Sequence, residues 1–172
     1  MDKPFIYQDP TIAFVTVATR LCLLLEHAGE NEPAAFRRQL LSYLPVLYAH
    51  AQELTIPEYR LDGEPERFVG ELDYAIVTNA VAALLGGGDS YLDIYHHDAH
   101  YLDEFVSRTI SEDLADIYQE LKDMAANFSS GNEDVMNDAV AACLDAFHDH
   151  WGDKLLSALR AIHRLPDNDD ND

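Results

Sequence analysis

The stretch NEDVMNDAVAACLDAFHDHWGDKLLSALRAIH, residues Asn132–His163, decides the fold class. Met136, Val140, Cys143, Phe147, Trp151, Leu155, Leu159 and Ile162 follow one another at steps of three and four, which puts them on one face of a long helix. Working outward, the same spacing recurs. It joins Phe14, Val17, Leu21 and Leu25 within residues 9–27, and Leu40, Leu44, Leu47, Ala51 and Leu54 within 32–54. It also joins Phe68, Leu72, Ile76, Ala80 and Leu84 within 66–85, and Leu114, Ile117, Tyr118, Leu121 and Phe128 within 111–129. No stretch alternates apolar and polar residues over the length of a strand. The pattern predicts an all-α chain, a single five- or six-helix bundle that is mostly up-and-down and has no β-sheet. The helical domain spans 1–166, and Asp167–Asp172 forms a disordered acidic tail.

Punctuation agrees with these spans. Gly29 and Gly86-Gly87-Gly88 stop helices, Pro45 should kink the second, and Ser111 can cap the helix that follows it. Pro57, Gly63 and Pro65 mark residues 55–65 as a connection, while Asp89–Arg108 reads as a short helix or loop.

The chain of 172 residues carries 32 acidic and 11 basic side chains, a formal charge of −21, with 48% of residues apolar. That apolar fraction is too high for a disordered protein. The charge is uneven, −6 over residues 1–86 and −15 over 87–172. Such a surface repels phosphate backbones and anionic headgroups, which excludes nucleic acid and membranes as partners and favours a basic protein. The longest apolar run, Ala80–Leu85, is far too short to span a bilayer, and Arg20 interrupts the apolar stretch near the N-terminus. Two cysteines, Cys22 and Cys143, each within an apolar helical pattern, suit the reducing cytoplasm.

Three groups of residues are candidates for chemistry. Asp113, Asp116, Glu120 and Asp123 share one face of their helix at i, i+3, i+7 and i+10. Carboxylates so close repel one another, and solvent, a basic partner, internal arginines or a cation such as Mg²⁺ or Mn²⁺ could offset this. His96, His100 and Glu104 would share a face at successive i, i+4 steps if helical, a transition-metal set. Trp151, Arg160 and His163 could line the junction with the acid stripe, with Arg160 placed to pair with it. No Gly-x-Ser-x-Gly elbow and no Cys/His spacing supports nucleophilic catalysis.

Two resemblances bear on these residues. The run Glu112-Asp-Leu-Ala-Asp116-Ile resembles the second carboxylate motif of all-α nucleoside triphosphate pyrophosphohydrolases, which implies Mg²⁺ held by Asp113 and Asp116. No helix supplies the accompanying Glu-x-x-Glu, and the nearest carboxylates, Glu71 and Asp73, have the wrong spacing. The stretches Ile110–Asp123 and Phe147–His163 together resemble a bacterial family catalogued as domain of unknown function 5063, acidic and mostly helical. The resemblance implies that Asp116, Tyr118, Gln119, Leu121, Lys122 and Asp123 on one helix, and Trp151, Gly152, Leu159, Arg160 and His163 on the other, belong to one shared feature.

The expectation is a non-enzymatic cytoplasmic interaction module without a cofactor. Its partner is a protein with a basic surface, held by Asp116, Gln119, Glu120, Asp123, Trp151, Arg160 and His163. A Mg²⁺-dependent nucleotide pyrophosphohydrolase using Asp113, Asp116, Glu120 and Asp123 is the alternative, and nucleic-acid mimicry by the −15 half a weaker one.

Overall fold

The computed structural model describes residues 2–95 and 104–167, with the side chains of Tyr95 and Glu104 excepted. Besides short 3-10 and π-type turns, the described residues form six α-helices and one antiparallel strand pair: α1 Asp9–Glu26, α2 Pro33–Glu53, α3 Glu71–Leu85, β1 Ser90–Tyr95, β2 Glu104–Thr109, α4 Ile110–Phe128, α5 Glu133–Ala146 and α6 Gly152–His163. Helix α4 is central, packing against α1, α3, α5 and α6. Its buried Ile110, Leu114, Ile117 and Leu121 meet Phe14, Leu21 and Leu25 of α1, Leu40, Leu44 and Leu47 of α2, and Leu144, Leu155 and Ile162 in one core.

The long helix expected over 132–163 is present with one modification. Asn132 caps it, its side chain accepting the Asp134 and Val135 N–H groups. The chain then stays helical to His163, but one wider π-type turn, Phe147–Trp151, separates α5 from α6. That extra residue per turn crowds the backbone: a Cβ at Gly152 would lie 2.6 Å from the Phe147 carbonyl oxygen. The second helix runs from Pro33 to Glu53 with Pro45 inside it.

Three expectations need correction. A sheet exists: β1 and β2 pair antiparallel, Ser90 opposite Thr109 through Tyr95 opposite Glu104, where a short helix or loop was expected. Alternation is confined to Leu92-Asp93-Ile94, since Tyr91 and Tyr95 flank it and β2 runs Phe105-Val106-Ser107-Arg108-Thr109; the polar Asp93 and Arg108 face the helices while Leu92, Ile94 and Phe105 face outward. Three alternating residues are too few to read as a strand. The start of α4 is capped by Thr109, whose hydroxyl accepts the Glu112 N–H, and not by Ser111. Ser111 instead donates its N–H and its hydroxyl to buried Asp89, each at 2.7 Å, closing the base of the hairpin.

The third correction concerns α3, which begins at Glu71 rather than Glu66 and of whose expected face only Ala80 and Leu84 pack against the core. Phe68, Leu72 and Ile76 are 48%, 73% and 53% exposed, and the buried residues are Val77 and Val81. The helix is apolar on nearly every side from Tyr74 to Leu85, so periodicity alone cannot choose the face that packs.

Between α2 and α3, residues 54–70 form neither helix nor strand yet lie fastened along α4 and α5. Asp167, assigned to the tail by the sequence pattern, is paired with Arg37, which also donates to the carbonyls of Ile162 and His163 and so satisfies the end of α6. Residues 168–172, the rest of the expected acidic tail, lie outside the described residues.

Two substitutions of one chemical kind test the corrected packing. Ile117→Ala, in the core, should cost about 2–5 kcal/mol, whereas Ile76→Ala, on the exposed side of α3, should stay within about 0.5 kcal/mol. Urea unfolding of both variants reads the difference.

Candidate functional site

The four carboxylates of the α4 stripe do lie along one side of the helix, but they are answered by three cations from three different places, Glu120 and Asp123 sharing one. Asp113 is buried and accepts from the Arg108 guanidinium of β2 at 2.6 Å and from the Tyr91 hydroxyl of β1. Asp116 accepts from the Tyr74 hydroxyl of α3 at 2.8 Å and from Lys154 of α6. Glu120 and Asp123 face Arg67 of the 54–70 segment, at 3.5 and 3.7 Å. Burial pushes the Asp113 carboxyl above the ordinary aspartate range, with Tyr91 and Arg108 pulling it back. Arg108, also partly desolvated, is held more firmly protonated by Asp113.

This arrangement separates residues that the sequence pattern placed together. Arg160 does not pair with the stripe; Arg108, Lys154 and Arg67 do. Arg160 and Arg164 are exposed and line a different hollow, between α6 and β1. Trp151 is no surface residue: it is buried, its indole N–H donates to the Cys143 carbonyl at 2.9 Å, and its ring meets Phe147 edge-on at 4.7 Å. Asp123 is buried as well, whereas Gln119 is half-buried and His163 exposed. His96 and His100 lie outside the described residues, and of Glu104 only the strand position is described. Among the described residues, no three or more His, Cys, Asp or Glu side chains gather as a metal-holding group. Burial pushes the Cys22 thiol up to about 12 and Cys143 well above its ordinary value, so both stay protonated near neutrality.

What Asp123 does is hold the irregular segment. Its Oδ1 accepts the N–H groups of Phe68 and Val69 at 2.7 and 2.9 Å, and Asn127, one turn on, donates to the Glu66 carbonyl at 2.8 Å. Helix α5 repeats the device. Asp138 accepts the N–H groups of Arg60 and Leu61, each at 2.8 Å, while Asn137 donates to the Glu58 carbonyl at 2.8 Å. A loop that crosses a helical surface must have its backbone groups satisfied, and these four side chains supply the partners.

The sequence pattern missed Tyr59, Arg67, Asn127, Asn137 and Asp138. The available signal was a set of polar residues, Asn127, Asn137 and Asp138, at positions that pack inward on otherwise apolar helices.

Between the fastened segment and the helices lies a cleft of about 430 Å³. Glu64 and Glu66 line it from the segment, Glu120 and Asp123 from α4, Asp145 from α5 and Asp149 from the π-type turn; Arg67 is the one cation among its lining residues. Tyr59 stands at the cleft with its hydroxyl donating to Asp145 at 2.5 Å.

With the geometry established, comparison places the chain in a family. A family model described as a domain of unknown function, DUF5063, matches residues 5–167. The chain belongs to that family. It is also similar to a solved structure, protein BF1032 from Bacteroides fragilis, at 36% identity and a TM-score of 0.84, with 95% of this chain and 96% of that one covered. No curated protein matches. As a member of the DUF5063 family, the chain shares a fold to which neither comparison attaches an activity.

The loop fastening at Asp138 and the close approach at Gly152 can each be tested. Burial raises the Asp138 carboxyl, but the Arg60 N–H, Asn137 and the Leu61 N–H outweigh it, leaving the group below the ordinary value of 3.8. A depressed carboxylate contributes stability above the ordinary value and loses it as pH falls through the folded one. Asp138→Asn, which leaves one amide without its acceptor, should therefore cost about 1–3 kcal/mol near pH 7 and narrow its deficit toward pH 3. Urea unfolding at both pH values measures this. Gly152→Ala should lower the thermal midpoint, by about 1–3 kcal/mol of overpacking strain, since its new methyl would fall on the Phe147 carbonyl.

Proposed function

We propose that this chain is a non-enzymatic interaction module that takes a basic protein partner at the cleft between residues 54–70 and helices α4 and α5. The observation that carries the reading is the ratio of charges lining that cleft, six carboxylates to one guanidinium. The net charge of −21 supports it in a second way, since a field of that sign draws basic partners in and turns phosphate backbones and anionic lipids away.

The reading replaces the surface expected from the sequence with a neighbouring one. Glu120 is common to both, and Asp123 moves from the binding surface to the floor of the cleft. The pyrophosphohydrolase alternative gains nothing from the geometry, because Asp113 and Asp116 are already ion-paired by Arg108 and Lys154. No helix among the described residues is long and apolar enough to cross a membrane. Two free, buried cysteines fit the reducing cytoplasm, where we place the protein.

The test is fluorescence anisotropy of a labelled tetra-arginine peptide against the whole chain at rising NaCl. Binding should be present at low ionic strength and weaken steeply with salt. Combining Glu64→Gln, Asp145→Asn and Asp149→Asn should lower affinity roughly tenfold or more, as loss of close charge partners does. A peptide that fails to bind in dilute buffer, or binds the triple variant as tightly as the wild type, rejects the reading.

A further inference from the structure

Both oxygens of Asp123 are withdrawn from solvent, with the side chain only 10% exposed. Oδ1 is saturated by the Phe68 and Val69 N–H groups, whereas Oδ2 is buried and has no hydrogen-bond partner. A buried carboxylate oxygen without a donor is costly, and this one belongs to a residue that lines the acidic cleft.

The nearest cation only partly answers it. Arg67 approaches Oδ2 to 3.7 Å and Glu120 Oε1 to 3.5 Å, both longer than the roughly 2.7–2.9 Å of a charge-assisted hydrogen bond. Its side chain is 58% exposed. Arg67 immediately precedes Phe68, whose N–H already occupies the other oxygen of the same carboxylate.

The walls describe the shape of a better occupant. Met124, Ala139 and Ala142 give an apolar course for an alkyl stem, and Tyr59, pinned through its hydroxyl to Asp145, adds an aromatic ring to the lining. A divalent metal would need several converging oxygens, and no such group occurs among the described residues. An ammonium is a point charge, while a guanidinium presents a rigid fork that can meet Glu120 and Asp123 together.

We propose that the cleft receives an arginine side chain of the partner polypeptide, its guanidinium displacing Arg67 and bonding Asp123 Oδ2 and Glu120. The inference rests on the basic-partner reading above and names the group that the site selects. Arg67 is then an internal competitor that covers the site until the partner arrives.

The experiment is an NMR titration of the whole chain with two capped pentapeptides, Gly-Gly-Arg-Gly-Gly and its lysine counterpart, followed at the Phe68 and Val69 amides. The arginine peptide should shift those amides and bind roughly tenfold more tightly than the lysine peptide. Arg67→Ala should tighten the arginine peptide several-fold. Asp123→Asn keeps an oxygen for the two loop amides but removes the charge and the acceptor at Oδ2, so it should weaken binding roughly tenfold with little change in thermal midpoint. Should it unfold the segment, Glu120→Gln, which accepts from none of the loop's backbone amides, is the second variant and should weaken binding in the same direction.

Equal affinity for the two peptides, or Arg67→Ala binding no more tightly than the wild type, overturns the assignment. Tetra-arginine binding that survives Asp123→Asn and Glu120→Gln but is lost in the Glu64, Asp145, Asp149 variant overturns it too, and leaves the basic-partner reading standing. No binding of tetra-arginine by the wild type removes both.

Discussion

The acid face of α4 is the constraint around which the rest of the molecule is arranged. Like charges at successive turns of one helix repel, and a low-dielectric setting strengthens the repulsion. The fold meets this by bringing cations from three separate places: Arg108 from the hairpin, Lys154 from α6 and Arg67 from the irregular segment. Each ion pair therefore also joins two elements. The hairpin in particular has little apolar surface turned inward, and a two-stranded ribbon is barely stable alone. Asp113 with Arg108 and Tyr91, and Asp89 with Ser111, hold it to the helices.

A second economy operates in residues 54–70. This segment has no hydrogen-bonding pattern of its own, so its amides and carbonyls depend on side chains from α4 and α5. The two helices use similar pairs, a carboxylate for neighbouring N–H groups and an amide for a carbonyl. Placing carboxylates there stabilises the loop and leaves one oxygen of Asp123 over, with a cleft beside it. The candidate site is thus a by-product of fastening, turned outward by the acidic residues around it.

The π-type turn shows a related compromise. Widening the helix at Phe147–Trp151 rotates the residues beyond it, and Trp151 enters the core with its N–H satisfied by the Cys143 carbonyl. Gly152 is the residue that tolerates the resulting close approach. A large amphipathic ring near histidines resembles a binding feature in sequence, yet here its polar atom is consumed inside the helix that carries it.

The helical class, the limits of most helices and the greater part of the core were legible in the sequence, because burial of one face imposes a period of three to four residues that local order preserves. The glycine stop after Leu85 was legible for the same reason: it acts on its own helix. The exposed side of α3 was not, since a helix apolar all round gives no contrast, and only its neighbours decide which side is covered. The hairpin was missed because its strands alternate only over Leu92-Asp93-Ile94, too short a run to register as a strand. The carboxylates at 113, 116, 120 and 123 were recognised as one stripe, but their fates depend on which cations the tertiary structure carries to them. The sequence thus determined by itself what acts within one turn of helix. Only the tertiary structure decided what is paired and what is left over, because long-range charge and hydrogen-bond partners have no fixed spacing along the chain.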